Sequence, residues 1–386
     1  VEDMGMNVTD CFSGIYKGKK VIVTGDTGFK GSWLCLWLKE LGADVYGYAL
    51  PPQQKEDNFV RCGLDSLIRH KDGDIRDYDL FLRYIKEVRP DIAFHLAAQP
   101  LVLESYQNPK YTFETNVIGT VNFFEAVRAA ASITTAVNIT SDKCYQNNES
   151  ISGYRENDPM GGKDPYSASK GCAELVTSAY LHSFFQKDGS ASVASVRAGN
   201  VIGGGDWSAD RIVPDFFRAV KAHRSVVLRN PHATRPWQFV LEPLSGYLHL
   251  ASLLYREGKQ YSGGWNFGPG MTAGPTVEEL VQTIVRLYGS GSIQYETQGE
   301  KPHEASLLQL DISKATASLK WKPVLQFDES AEFTVDGYRD DLSDAPVYDK
   351  RIIQLVKYIR LAQDRKIVWA VSNHEPAVIG HSSGCR

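Results

Sequence analysis

Residues 20–24 (KVIVT), the glycines Gly25, Gly28 and Gly31, and residues 32–41 (SWLCLWLKEL) form one continuous stretch. The first piece is a short β-branched apolar run, and the last repeats apolar residues at helical spacing. Between them the glycines stand at G-x-x-G-x-x-G. In such a strand–turn–helix the first glycine permits the tight turn, the second lets a pyrophosphate approach the backbone, and the third lets helix and strand pack closely. The helix start adds unpaired N–H groups and a partial positive charge. The stretch therefore reads as a dinucleotide-binding turn, against a plain packing turn as the alternative.

Working outward, residues 44–49 (DVYGYA) are a second strand, 78–88 a helix and 91–97 (DIAFHLA) a third strand. A long helix over 113–130 precedes a strand at 136–140 (AVNIT), and a further helix covers 166–185. The strands are continuous apolar runs, as when helices cover both faces of a sheet. This alternation predicts an α/β fold with a Rossmann doubly wound parallel sheet. Beyond Val201 the pattern loosens. Gly203, Gly204 and Gly205 precede a helix over 212–223, strands near 226–228 and 238–241, a Gly/Pro-rich loop at 263–275 and a helix over 277–288. We expect residues 18–200, with parts of 225–270 returning to them, to form the dinucleotide-binding domain, and 201–345 a smaller C-terminal α+β substrate lobe. A helical segment at 346–371 and a polar tail at 372–386 complete the chain.

Composition narrows the function. The 386 residues are 42% hydrophobic and 23% charged, ordinary for a packed protein. Forty-two basic against 46 acidic residues give a net charge of −4, which argues against a nucleic-acid or anionic-membrane surface. No apolar run is long enough to span a bilayer, and the acidic first residues do not resemble a secretory signal. The six cysteines show no CxxC spacing, so reduced thiols in a cytoplasmic setting are expected, with neither disulfides nor a metal site.

Y-x-x-x-K occurs at Tyr16/Lys20, Tyr106/Lys110, Tyr166/Lys170 and Tyr255/Lys259. A lysine one turn after a tyrosine can stabilise the tyrosinate needed to take a hydroxyl proton as hydride leaves. Only Tyr166 opens a sustained helix, with Asp164–Pro165 as its start signal. It follows a strand ending Thr140, Ser141, Asp142, Lys143, and strand C-termini in such sheets face the cofactor crevice. The second strand ends Tyr48, Ala49, Leu50, Pro51, without the acid that bonds an adenosine ribose and without an arginine for a 2′-phosphate. That feature leaves NAD and NADP open, and Asp74 is a candidate contact at the adenine end.

TGDTGFKG (24–31), HLAAQP (95–100), ETNVIGT (114–120), TSDKCY (140–145), YSASK (166–170) and RAGNVIGGGDW (197–207) together resemble the extended short-chain dehydrogenase/reductase family. Within it the likeness is to the nucleotide-sugar 4,6-dehydratase branch, and GFKGSWL and TSDKCY point to members acting on CDP-glucose. The resemblance implies NAD held by Gly25, Thr27, Gly28, Phe29, Lys30, Gly31, Asp74, Ile75, Leu96, Ala97, Ala98, Gln99, Tyr166, Lys170 and Arg197. It implies catalysis by Ser141, Asp142, Lys143, Tyr166 and Lys170, with Asp142 protonating the departing C6 hydroxyl and Lys143 standing where most relatives carry a glutamate as C5 base. It places Asn200, Arg211, Ile212, Arg235 and His303 on the nucleotide-sugar substrate. A homodimer through the two long helices is implied too, and lipopolysaccharide O-antigen or other surface polysaccharide is the usual destination of the deoxysugar. The rival readings are another nucleotide-sugar dehydratase, a 4-epimerase, or a non-catalytic dinucleotide-binding regulator.

Overall fold

The computed structural model describes residues 7–150, 152–270, 274–296, 307–343 and 345–371. In chain order the strands are β1 (Lys20–Thr24), β2 (Asp44–Ala49), β3 (Arg69–Asp72), β4 (Ile92–His95), β5 (Thr135–Ile139), β6 (Ser192–Arg197), β7 (Val201–Ile202), β8 (Val226–Leu228), β9 (Gln238–Phe239), β10 (Gly263–Asn266) and β11 (Ile293–Tyr295). Seven form one parallel sheet in the order β10-β6-β5-β4-β1-β2-β3. Val21 sits between Val45 and Ile92, and Thr135 between Ile92 and Ser192. Strand order reverses between β1 and β4, so the loops after Thr24 and His95 diverge there and open a crevice. The expected doubly wound α/β sheet is what forms.

Helices cover both faces. On one, Tyr78–Val88, Gly119–Ala129 and Pro165–Phe184 bury Phe81, Phe123 and Leu181 against Ile22 and Ala136. On the other, Phe29–Glu40 and Leu241–Glu257 pack on Val21, Phe94 and Val137. Phe29–Glu40 is buried on all sides because a further layer lies over it: Trp37 meets Tyr358 and Trp369, with ring centroids 5.9 and 5.6 Å apart. That layer departs from the expected division. The helix Tyr348–Asp364 joins the core of the dinucleotide-binding half rather than standing apart. Residues ahead of 18 join it as well, since Phe12 is buried on Trp369 and Tyr16 donates to the Leu248 carbonyl at 2.6 Å. The expected tail at 372–386 lies outside the described residues.

Two local differences bear on the site. The helix expected over 113–130 is Pro109–Phe113 and Gly119–Ala129 joined through a π-turn at Glu114–Ile118. The strand expected at 238–241 stops at Phe239, and Leu241 begins a helix whose buried Glu242 accepts from the Val324 and Leu325 amides. In the smaller lobe, Ile212–Lys221, Val277–Tyr288 and Phe327–Asp341 pack around Phe216, Phe217 and Tyr338, beside the pair β8–β11.

Candidate active site

The C-terminal ends of β1, β4 and β5 and the smaller lobe enclose a cleft of about 1890 Å³. A single-ligand pocket rarely exceeds about 1,000 Å³, so this cleft has room for two nucleotides. One arm is lined by Gly25, Thr27, Gly28, Phe29, Lys30, Gly31, Tyr48, Leu50, Asp74, Ile75, Leu96, Ala97, Ala98 and Gln99. The other is lined by Asn200, Asp206, Trp207, Arg211, Ile212, Arg229, Arg235 and Glu296. Ser141, Asp142, Lys143, Tyr166 and Lys170 line the same cleft.

The glycine turn is sterically obligatory. Gly25 has φ +76°, and a Cβ there would lie 2.7 Å from the Ala97 nitrogen. A Cβ on Gly31 would lie 2.0 Å from the Gly25 carbonyl oxygen. Gly28 precedes Phe29–Glu40 and no side chain caps that helix, so its first N–H groups remain for an anion. This cradle and uncapped helix start fit a dinucleotide diphosphate. At the adenine end no side chain from the end of β2 supplies a carboxylate. Asp74 does line the cleft, but Arg76 grips both its oxygens and holds its carboxyl below the usual range.

Asn116, to which no role was assigned from its motif, ties three motifs together. Its Oδ1 accepts from the Gln99 amide at 2.8 Å, and its Nδ2 donates to the Gln99 carbonyl and to Ser169 Oγ. The loop after β4 is thereby fixed to the helix that carries Tyr166 and Lys170. Asn116 sits on the π-turn, a departure from α-geometry that often marks functional positions. ETNVIGT was the available signal.

Pro165–Phe184 starts where expected. Asp164 accepts from the Ser167 amide at 2.9 Å and from its hydroxyl at 2.6 Å, and the Tyr166 amide donates to Ser105 Oγ. Of the four tyrosine–lysine pairs, only this one brings both members to the cleft. Ser141 caps a short turn at Asp142–Cys144 and donates to Asp142 Oδ1 at 2.9 Å. Asn200, at φ +51°, points its Nδ2 at Asp142 Oδ2 over 3.4 Å, and Gly199 lacks the Cβ that would strike that carboxylate. Asp142 is thus buried at the cleft wall, held between Ser141 and Asn200.

The charges are arranged by burial. Desolvation pushes the Tyr166 phenol up to about 12, opposed by Ser141 and Arg211 and reinforced by Asp142. Desolvation, then the Lys30 charge, pushes Lys170 down to about 7, with Glu174 opposing. Arg211 is held at 2.8 Å by Asp206, which keeps its charge fixed.

Arg197 requires a correction. It does not line the cleft with the other residues expected on the cofactor. Its guanidinium lies buried beneath the strand ends, paired with Glu174 at 2.7 Å and bonded to the Glu156 carbonyl and Tyr145 hydroxyl. A buried arginine is drawn to a buried carboxylate, and Glu174 supplies one from the adjacent helix. Arg235 is buried at the end of the substrate arm and donates to the Thr234 carbonyl. His303 lies outside the described residues. Among the described residues no cluster of three or more His, Cys, Asp or Glu side chains has the arrangement to hold a metal ion.

A family model described as GDP-mannose 4,6 dehydratase matches residues 22–334. CDP-glucose 4,6-dehydratase of Salmonella typhimurium is 52% identical over 312 residues, covering 80% of this chain and 87% of that protein. GDP-mannose 4,6 dehydratase 1 of Arabidopsis thaliana is 26% identical, covering 84% and 91%. Among solved structures, the dTDP-glucose 4,6-dehydratase DesIV of Streptomyces venezuelae, with NAD and TYD bound, superposes with a TM-score of 0.71 at 25% identity, covering 83% of this chain and 97% of that one. The dTDP-glucose 4,6-dehydratase of Bacillus anthracis, in complex with NAD, superposes with a TM-score of 0.69 at 21% identity, covering 84% and 98%, and shares the fold. With the strand-end acid, the tyrosine–lysine helix and the two-armed cleft in place, the chain belongs to the GDP-mannose 4,6 dehydratase family, within the nucleotide-sugar branch of the extended short-chain dehydrogenases/reductases.

Proposed function

We propose that the protein converts CDP-D-glucose to CDP-4-dehydro-6-deoxy-D-glucose and water with NAD. The observation that carries this is the 52% identity to a CDP-glucose 4,6-dehydratase across 80% of the chain. The cleft supports it, because it sets a carboxyl group beside the tyrosine, as a dehydration requires and an epimerisation does not. Bound NAD supplies a hydride acceptor for C4 and then the donor for C6, so the net change is loss of water.

The chain's residues do the proton work. Tyr166 takes the C4 hydroxyl proton, and Lys170 in its charged form lowers the cost of the tyrosinate. Ser141 bonds the same oxygen and orients Asp142. The C4 ketone acidifies C5, where Lys143, as the neutral amine, accepts the proton and returns one to C5 once hydride has reached C6. Among the described residues no ion pair ties Lys143 to Asp142, whose oxygens meet Ser141 and Asn200. Asp142 then delivers a proton to the C6 hydroxyl as it leaves. Arg211 and Arg235 suit the substrate diphosphate, with the uncapped start of Ile212–Lys221 beside them.

A second copy of the chain is the proposed partner, through the outer faces of the helical stretch 114–129 and of Pro165–Phe184, which carry the exposed apolar side chains Ile118, Leu175 and Phe184. No described helix is long and apolar enough to cross a membrane, and the described cysteines are free thiols, in keeping with the reducing cytoplasm.

The test offers CDP-glucose, dTDP-glucose, UDP-glucose and GDP-mannose in turn with NAD+. A 4-keto-6-deoxy product from CDP-glucose is expected, with solvent deuterium at C5 and a C4 label carried to C6. A C4 epimer without dehydration, or turnover only of another nucleotide sugar, overturns the reading.

A further inference from the structure

Lys30 belongs to one arm of the cleft and acts electrostatically on the other. Its backbone lies in the glycine turn at the first turn of Phe29–Glu40. Its ammonium interacts with Arg211, Asp142 and Asp206 on the substrate side, and with Lys170 beside the tyrosine. It lines the cleft alongside all of them.

Arg211, its cationic neighbour on the substrate side, is neutralised by a protein carboxylate and Lys30 is not: Arg211 is paired with Asp206. Among the described residues Lys30 has neither a hydrogen-bond partner nor a carboxylate within ion-pair distance. A half-buried ammonium without a counter-charge is costly to keep. Withdrawal from water, and then the Arg211 charge, push it down to about 8. It is a cation placed for anions that come from outside the chain.

We infer that Lys30 is shared by two diphosphates, that of the dinucleotide on the glycine turn and that of the sugar nucleotide beside Arg211, so that each tightens the binding of the other. Two diphosphates in one cleft repel each other; a cation of fixed charge attracts each without coupling them, whereas one that gains its proton as the first binds couples them favourably. The first to arrive favours the charged form of Lys30, so the second meets a fuller positive charge. Coupling of this kind is reciprocal. The consequence for the reaction is retention, since the reduced cofactor stays in the cleft while the keto sugar is still there.

This inference rests on the nucleotide-sugar reading but concerns the diphosphate, not the base. The test is calorimetric titration of the full-length protein with NAD+, alone and with saturating CDP, which cannot react. Wild type is expected to bind NAD+ at least about fivefold more tightly with CDP present, and to take up protons on binding at pH 8, read from two buffers of different ionisation enthalpy. Lys30→Met removes the coupling or reverses it. Lys30→Arg, charged throughout, abolishes the proton uptake and with it the coupling, and it carries the test if the methionine variant does not fold. Wild-type coupling that persists unchanged in Lys30→Met, or uptake unchanged in Lys30→Arg, overturns the proposal. If CDP fails to bind and UDP binds with Lys30-dependent coupling, the cytidine assignment falls and this inference stands. If CDP binds and the coupling ignores Lys30, the reverse holds.

Discussion

Arg197 Nη2 meets Glu174 Oε2 at 2.7 Å in a site from which water is excluded, directly under the ends of β5 and β6. Glu174 also accepts from Thr140 Oγ1 and, at 2.7 Å, from Ser195 Oγ. One carboxylate thus ties the helix of Tyr166 to the two strands that carry Ser141 and Asn200. Removing one member leaves the other charged and unpaired in the interior, which costs about 3–5 kcal/mol. Glu174→Ala should lose stability on that order in denaturant unfolding, whereas the double change Glu174→Leu, Arg197→Met should lose less. Equal losses would show that the pair is not the source.

Asn116→Leu removes the link between the loop after β4 and Ser169. The orphaned Gln99 amide and carbonyl should cost about 1–3 kcal/mol. Because Gln99 lines the cofactor arm, NAD+ affinity measured by fluorescence quenching should fall more than CDP affinity. An equal fall in both would mean general unfolding.

Asp142→Asn is expected to separate the two halves of the reaction. Oxidation at C4 needs only Tyr166, Lys170 and Ser141, while departure of the C6 hydroxyl needs the acid. Turnover should drop by about 10²–10⁴-fold, with reduced nicotinamide accumulating in a single-turnover absorbance trace. A variant that is slow without accumulating reduced cofactor would place Asp142 in the first half instead.

Lys143→Gln should abolish solvent exchange at C5 of the bound keto sugar while leaving C4 oxidation intact. Wild-type exchange rates, followed by mass spectrometry in deuterium oxide, would remove Lys143 from the base role.

Lys170 destabilises the fold that needs it. Its folded value of about 7 lies below the ordinary lysine value near 10.4. Between these values the unfolded chain binds a proton that the folded chain does not, so stability rises with pH across this interval. Lys170→Met should therefore raise stability by about 1–2 kcal/mol at pH 7, and the gain should shrink as pH rises from 7 to 10, while activity disappears. A gain independent of pH would point to packing rather than charge.

Features set by adjacent residues were legible in the sequence, and those that depend on distant pairing were not. The glycine turn could be read because its steric demands fall on the neighbouring strand and helix. Tyr166 could be chosen among four tyrosines because Asp164 and Pro165 mark a helix start next to it in the chain. The role expected of Arg197 failed because its partner, Glu174, approaches from a separate helix and no local pattern announces the pair. Asn116 carried no local signature beyond its motif. The burial of Tyr348–Asp364 depends on Trp37, far away in the sequence, so it emerged only from packing. Lys30 could be placed on the cofactor arm from its motif, but its reach toward Arg211 depends on how the smaller lobe folds back.

The sheet's edge strand comes from Gly263–Asn266, after the chain has passed through the smaller lobe and returned. A nascent chain that has emerged only as far as β6 therefore presents an unpaired edge, buried along its whole length in the finished protein and open to other chains until then. Its most buried layer waits for Leu241–Glu257 and Tyr348–Asp364. A gene fragment ending near residue 200 is accordingly no transplantable cofactor module, and recombination between relatives of this protein has no seam at that point.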